Sequence, residues 1–272
     1  MKYTAAALLV LLLAGCTAAP SPSPKPTPET TAREAGVWTG FDYQLGGGYT
    51  PPEGVNVVAR DRTDTPAEGI DTICYVNGFQ TQGEDAELWA GHPDLVLTGS
   101  DGEPVIDPNW PDEFLLDTST AEKRSGIAEI LGAWIDGCAL DGFVAVEFDN
   151  LDSFTRSEGA LTQDDNVALA EVLVSRAHEN FLRVGQKNSA ELSFLAPQIG
   201  FDFAVTEECH RWDECGVYTE AYGDLVLNIE YTDDLRGTPE EVCADESIPA
   251  LTIIRDRDLT TPDSPDYYFE AC

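Results

Sequence analysis

The chain has 272 residues, 42% of them hydrophobic, enough for one large core or two small ones,. Lys and Arg number 15 against 50 Asp and Glu, a formal net charge of −35. That balance argues against nucleic acid, because phosphate binding needs the opposite sign, and suits a cationic ligand or solubility outside the cell.

The chain opens on Lys2, an apolar stretch over 5–13, and Leu13-Ala14-Gly15-Cys16. The stretch is too short for a spanning helix, which needs about 20 residues. It resembles a bacterial lipoprotein signal. The resemblance implies removal of residues 1–15, a lipidated Cys16, and an exported protein anchored to the membrane. Residues 16–33 are rich in Pro, Ser and Thr, a composition that makes a semi-rigid tether,. The expected folded domain is 34–272, as a monomer. Besides Cys16 there are Cys74, Cys138, Cys209, Cys215, Cys243 and Cys272. An even set in an exported chain reads as disulfides. Cys209 with Cys215, Cys243 with Cys272 and Cys74 with Cys138 is one arrangement, though spacing does not determine connectivity. No Cys-x-x-Cys pair supports a zinc site instead.

Beyond the tether, apolar runs at 55–59, 70–76, 114–116, 142–148, 182–186, 201–205, 225–229 and 250–254 read as strands. Several are continuous rather than alternating, the pattern of strands covered on both faces. Ile127, Ile130, Leu131, Trp134 and Ile135 repeat at helical spacing, with Ser119-x-x-Glu122 as capping box and Gly137 as stop,. Val167, Ala170, Leu173, Val174, Ala177 and Phe181 form a second stripe, opened by Thr162 with Asp164 and Asp165,. A short helix is expected over 238–243. This alternation predicts a single-domain (β/α)8 barrel of the TIM type, with an open doubly wound sheet as the alternative. No glycine-rich phosphate loop follows any strand.

In such a barrel the site lies at the carboxyl ends of the strands. Those ends carry Asn77, Asp117, Glu147 with Asp149 and Asn150, Lys187 with Asn188, Glu207, Glu230 with Tyr231, and Arg255 with Asp256. A lone acid after a strand is usually a helix cap or a solvated loop residue, the reading preferred for Asp117 and Asp256. None of His92, His178 and His210 sits at a strand exit, which disfavours serine hydrolysis and a His-ligated zinc. The calcium-loop spacing is absent around Asp152. Two carboxyls without histidine or metal suit glycosidic cleavage, and no cofactor is expected. Trp38, Tyr75, Trp110, Trp212 and Tyr231 are candidates to stack on sugar faces, although most aromatics belong to cores.

Seven stretches in order carry a more specific resemblance. They are Trp38-Thr39 with Asp42-Tyr43-Gln44-Leu45, Ile73-Cys74-Tyr75, Trp110-Pro111-Asp112-Glu113-Phe114-Leu115-Leu116-Asp117, Asp141-Gly142-Phe143 leading to Glu147-Phe148-Asp149-Asn150-Leu151-Asp152, Lys187-Asn188, Phe201 to Cys209 with Cys215, and Glu230-Tyr231. Together they resemble the endo-α-1,4-polygalactosaminidases, glycoside hydrolase family 114. The resemblance implies a (β/α)8 barrel that hydrolyses a cationic, galactosamine-rich polysaccharide of biofilm or cell-surface type. It implies Asp149 as nucleophile or electrostatic partner and Glu207 as general acid/base. The substrate-binding set it suggests is Asp42, Tyr75, Asp117, Glu147 and Asn150, joined by Asp152, Lys187, Asn188, Glu230 and Tyr231. Among these, Glu147, Asp152 and Glu230 are expected to offer free carboxylates to the amines. The chain departs from the family at Gly78-Phe79-Gln80-Thr81-Gln82, where an acid and an arginine are usual. It departs again at Thr206, where Asn is expected, and at Ser189. These departures leave open another sugar preference, or a surface lipoprotein that binds polysaccharide without cutting it.

Overall fold

In this computed structural model, which describes residues 36–272, the continuous apolar runs become parallel strands buried on both faces. The expected signal, Cys16 and the tether lie outside the described residues. The strands are β1 (Phe41–Tyr43), β2 (Val57–Asp61), β3 (Asp71–Asn77), β4 (Ala145–Asp149), β5 (Arg183–Lys187), β6 (Phe203–Glu207), β7 (Val226–Tyr231) and β8 (Leu251–Arg255). Each pairs in parallel with the next in sequence, and β9 (Phe269–Ala271) runs antiparallel along β8. β1 lies against β8 with no ladder between them among the described residues, so the barrel is nearly closed. Arg255 crosses this seam, donating from Nη1 to Asp42 Oδ1 at 3.0 Å and to the Tyr43 carbonyl.

Helices wrap the barrel unevenly. α1 (Ala86–Ala90) and α2 (Ala121–Asp141) follow β3, α3 (Gln163–Glu179) follows β4, and α4 (Ala196–Ile199) follows β5. α5 (Cys215–Tyr222) and α6 (Pro239–Cys243) follow β6 and β7, whereas β1, β2 and β8 run into turns and loops. The strand expected at 114–116 forms only isolated antiparallel bridges, Gln80 to Leu115 and Ile106 to Phe114 among them. They belong to the long excursion between β3 and α2. The barrel's first strand is instead β1, whose three residues are too few for a visible pattern.

Strand residues alternate between two cores, as a period of two requires. Cys74, Val76, Val146, Phe148 and Val184 face α2 and α3, meeting Ile127, Leu131, Ile135, Leu169 and Leu173. Ile73, Ala145, Phe203, Val205, Leu227, Ile229 and Ile253 fill the barrel interior with Trp38. Trp38 is buried, its ring edge-on to Phe203 at 5.0 Å, and so is part of the core. Gly185 makes room for Phe203, since a Cβ there would stand 2.5 Å from the Phe203 ring.

α2 begins one residue later than its expected cap. Asp117 already holds the Ser119 N–H at 3.0 Å and the Ser119 hydroxyl, so Thr120 caps the helix, accepting from Lys123 N at 3.3 Å. The helix runs through Gly137 to Gly142, whose φ of 99° provides the left-handed stop,. Continuing through Gly137 carries Cys138 to Cys74, with which it forms a disulfide. Thr162 caps α3 with a reciprocal bond from Asp165, and Thr238 does the same for α6 with Glu241. Phe181 lies past the end of α3 and is exposed. Cys209–Cys215 and Cys243–Cys272 complete the expected pairing, the latter tying α6 to the end of β9.

Candidate active site

β4, β5 and β6 end in Asp149, Lys187 and Glu207. The residue after each takes the left-handed conformation: Asn150 (φ 61°), Asn188 (φ 48°) and Glu208 (φ 61°). Asn tolerates this region better than most residues, and the turn takes the chain off the sheet immediately beyond the functional side chain. Lys187 is 2% exposed, and its Nζ lies 3.2 Å from Asp149 Oδ2 and 3.0 Å from Glu207 Oε2. The carboxyl side chains are 18% and 28% exposed, so the ammonium forms a floor and the two acids reach solvent above it.

Each acid is further oriented. Tyr75 Oη donates to Asp149 Oδ2 at 2.8 Å, and Asn150 N donates to Asp149 Oδ1 at 2.7 Å. Tyr231 Oη donates to Glu207 Oε1. Asn188 clamps Glu207 twice, donating from Nδ2 to Oε2 at 3.1 Å and accepting from the Glu207 N–H at 2.8 Å. Burial alone would raise the Glu207 carboxyl, but the Lys187 charge and hydrogen bonds from Tyr231, Lys187 and Asn188 bring it below its usual value,. Burial likewise opposes charge on Lys187, yet Asp149 and Glu207 hold its ammonium well above the ordinary lysine value. Burial, with the nearby acids, pushes Tyr43, Tyr75 and Tyr231 up, so all three remain hydroxyl donors.

Beneath Lys187 lies Glu147, wholly buried. Tyr43 Oη donates to its Oε1 at 3.0 Å, while Oε2 has no hydrogen-bond partner. Burial pushes its carboxyl up to about 8; the Lys187 charge opposes this and the Asp149 charge adds to it. Glu147 is therefore a buried, protonated acid near neutral pH rather than a free carboxylate.

The remaining strand-exit residues go elsewhere. Asp42 is sealed against Arg255, Gln44 and the Tyr43 N–H. Glu230 points to the opposite face from Tyr231, where it accepts from His210 N at 2.9 Å and from Asn228 Nδ2 at 3.0 Å. Asp117 pairs with Lys123 at the start of α2, Asp152 pairs with Arg156 at 2.9 Å, and Asp256 accepts from Thr260 N at 2.7 Å. Thr206 turns away from Glu207 and donates to Asn228 Oδ1 at 2.8 Å, so Asn188 alone supplies the asparagine clamp. His178 and His210 pair with Asp202 and Asp245. Among the described residues no group of three or more His, Cys, Asp or Glu side chains is arranged to hold a metal ion. Two residues at the site escaped the sequence reading. Tyr43 and Glu113 both stand within the quoted motifs, and those motifs are the signal for them, since β1 is too short for its alternation to show.

A family model, the glycoside-hydrolase family GH114, matches residues 19–272. No curated protein matches the chain. Among solved structures, the chain is similar to Aspergillus fumigatus Ega3 in complex with galactosamine. That match has 22% identity and a TM-score of 0.67, covering 88% of this chain and 97% of that one. It is also similar to the glycoside hydrolase domain of PelA from Pseudomonas aeruginosa, at 13% identity and a TM-score of 0.56, covering 83% of this chain and 98% of that domain. At these identities the likeness is one of fold, whereas the family match spans nearly the whole chain. The chain belongs to glycoside hydrolase family GH114, and it is by class an enzyme that hydrolyses glycosidic bonds.

Proposed function

We propose that the protein cleaves α-1,4-linked, galactosamine-rich polysaccharide, with Asp149 and Glu207 as its two working carboxyls. The observation that carries this reading is the single buried ammonium shared by two partly exposed acids at the ends of β4 and β6. One Nζ touching both confines the contacted oxygens to within about 6 Å of each other, near the spacing of retaining glycosidases,. Glu207 gives its proton to the glycosidic oxygen as the bond to the anomeric carbon breaks. Asp149 takes that carbon through a carboxylate oxygen. Water then attacks the same carbon, returning its proton to Glu207 and freeing Asp149. Lys187, Tyr75, Tyr231 and Asn188 hold the acids in place, as preorganised donors do.

Galactosamine is drawn from the ligand of the fungal structure and from the motif resemblance. The net charge of −35 supports a cationic polymer, which it would attract at long range,. We read the nearly closed sheet as a (β/α)8 barrel in which loops and β9 stand in for the helices missing after β1, β2 and β8. Three disulfides fit an oxidising exterior, in keeping with export and attachment through Cys16,.

Incubation with partly deacetylated α-1,4-polygalactosamine tests the reading. The parent should release new reducing ends and shorten the polymer. Asp149→Asn and Glu207→Gln should each lower turnover by roughly a thousandfold or more with thermal stability nearly intact. Unchanged turnover in both variants would overturn the site. A parent that binds the polymer without cutting it would favour the binding lipoprotein.

A further inference from the structure

Most acids around the mouth of the barrel are already neutralised by a cation of the protein. Lys187 serves Asp149 and Glu207; Arg156 serves Asp107 at 2.7 Å and Asp152 at 2.9 Å; Lys123 serves Asp117, and Arg257 serves Glu208 at 2.7 Å. Glu113 differs. Its Oε2 accepts from Gln80 Nε2 at 2.8 Å and from Asn77 Nδ2 at 3.2 Å, both uncharged donors. Its Oε1 takes no hydrogen bond from the protein and is not sealed from solvent.

The surroundings hold this carboxyl in place without pairing it with a cation. Arg156 spends its guanidinium on Gln80 Oε1, Asn150 Oδ1 and the two aspartates, which aims the Gln80 amide NH2 at Glu113. Asn77 is the register partner of Asp149 across β3 and β4, and its Oδ1 accepts from Asn150 Nδ2 at 2.9 Å. Glu113 is thus one side chain removed from the Asp149–Asn150 pair. Half-burial and the charge of Asp149 raise its carboxyl, while the two amides lower it. An arriving cation would relieve both penalties.

Trp110 supplies the apolar counterpart. The Glu113 N–H donates to the Trp110 carbonyl at 2.9 Å, so the two residues close one tight turn, and Trp110 is 64% exposed. An amino-pyranose has the matching chemistry: a C–H face for the indole, and a primary ammonium with three donors for a carboxylate.

We propose that Glu113 is the specificity-determining residue for the free amine of the substrate, holding the ammonium of a deacetylated hexosamine beside Asp149, with Trp110 under the sugar. This rests on the glycosidase reading above and adds to it the rule by which the cleft separates amine from acetamide. Acetylation removes the charge and sets a carbonyl oxygen against the carboxylate.

The test is calorimetric titration of an α-1,4-linked galactosamine oligosaccharide and its fully N-acetylated counterpart. Both go into the full chain carrying Glu207→Gln, so that no ligand is consumed, with and without Glu113→Gln. The free-amine ligand should bind the Glu207→Gln protein more tightly than the acetylated one, and added salt should narrow the gap. Glu113→Gln should cost the amine ligand roughly ten- to hundredfold in affinity, the scale of a hydrogen bond to a charged group, and leave the acetylated ligand unchanged. That unchanged affinity also shows the cleft still folded. Equal loss of both ligands would overturn the proposal, because Glu113 would then serve the fold. So would an amine preference that survives the substitution. Hydrolysis by the parent is scored separately: charge discrimination without released reducing ends keeps this site and removes the hydrolase reading. Cleavage of both polymers with no amine preference does the reverse.

Discussion

Replacing Glu147 with Gln should raise stability relative to the parent by a growing amount as pH rises. In the folded chain this carboxyl is wholly buried, with one oxygen unpartnered, and its pKa is pushed from 4.5 to about 8. Below the unfolded value both states carry the proton and the group contributes nothing to pH dependence. As pH climbs from there toward 8, the unfolded chain releases the proton while the folded chain must keep it. Stability present at low pH is therefore lost as pH rises. Between about pH 5 and pH 8 this amounts to roughly 4 kcal/mol, which Glu147→Gln does not lose. Any fixed cost of fitting the amide beside Tyr43 and Lys187 is the same at every pH and drops out of the comparison. Urea unfolding of parent and variant, disulfides intact, at a series of pH values measures the difference from midpoints and slopes. A difference that stays constant from pH 5 to pH 8 would mean that Glu147 is charged in the folded protein, and the account of the site's floor would fail.

The Glu207 carboxyl, held below its usual value chiefly by Lys187 against the effect of burial, is mostly ionised in the free enzyme. In the proposed mechanism its proton goes to the leaving oxygen, so kcat/KM should rise as pH falls below neutral; Lys187→Met should lower turnover and move the pH at which the rate declines upward, and a profile that does not move would refute the role proposed for Lys187. Gly185→Ala places a Cβ 2.5 Å from the Phe203 ring in the packed barrel interior. Overpacking of this kind costs about 1–3 kcal/mol, so the urea midpoint should fall clearly, and an unaltered midpoint would show that Phe203 can move aside.

Some of the fold can be read directly from the chain. Val146 and Phe148 belong to an unbroken apolar run, and such runs on β3 to β8 forecast parallel strands covered on both sides. Thr162 and Thr238 announce their helices because a cap is a local bond between residues three apart,. β1 shows no strand pattern in the sequence, and the apolar run at 114–116 shows one without forming a strand, because three residues carry too little pattern to decide. A three-residue strand buries little of its own, and what makes it a strand is the neighbour at Val57 to Ala59.

The acids show where local reading stops. Asp149, Glu207, Glu230 and Asp117 all follow or end apolar runs, and apart from the motif resemblance nothing near them in sequence ranks them. Glu230 and Tyr231 are adjacent, yet one clamps backbone outside the barrel and the other orients Glu207 within it. That choice follows from a two-residue alternation whose phase is set by the register of β7 against β6 and β8,.

By itself the sequence determined the alternation of buried strands and capped helices, the surplus of negative charge, and the carboxylates at the strand ends, because each of these is a property of neighbouring residues. Only the tertiary structure decided which carboxylates share Lys187, which are cancelled by Arg156 or Arg255, and which, like Glu113, meet no cation of the protein among the described residues. A carboxylate's role depends on the charges within a few ångströms of it, and those come from strands and loops far apart in the chain,.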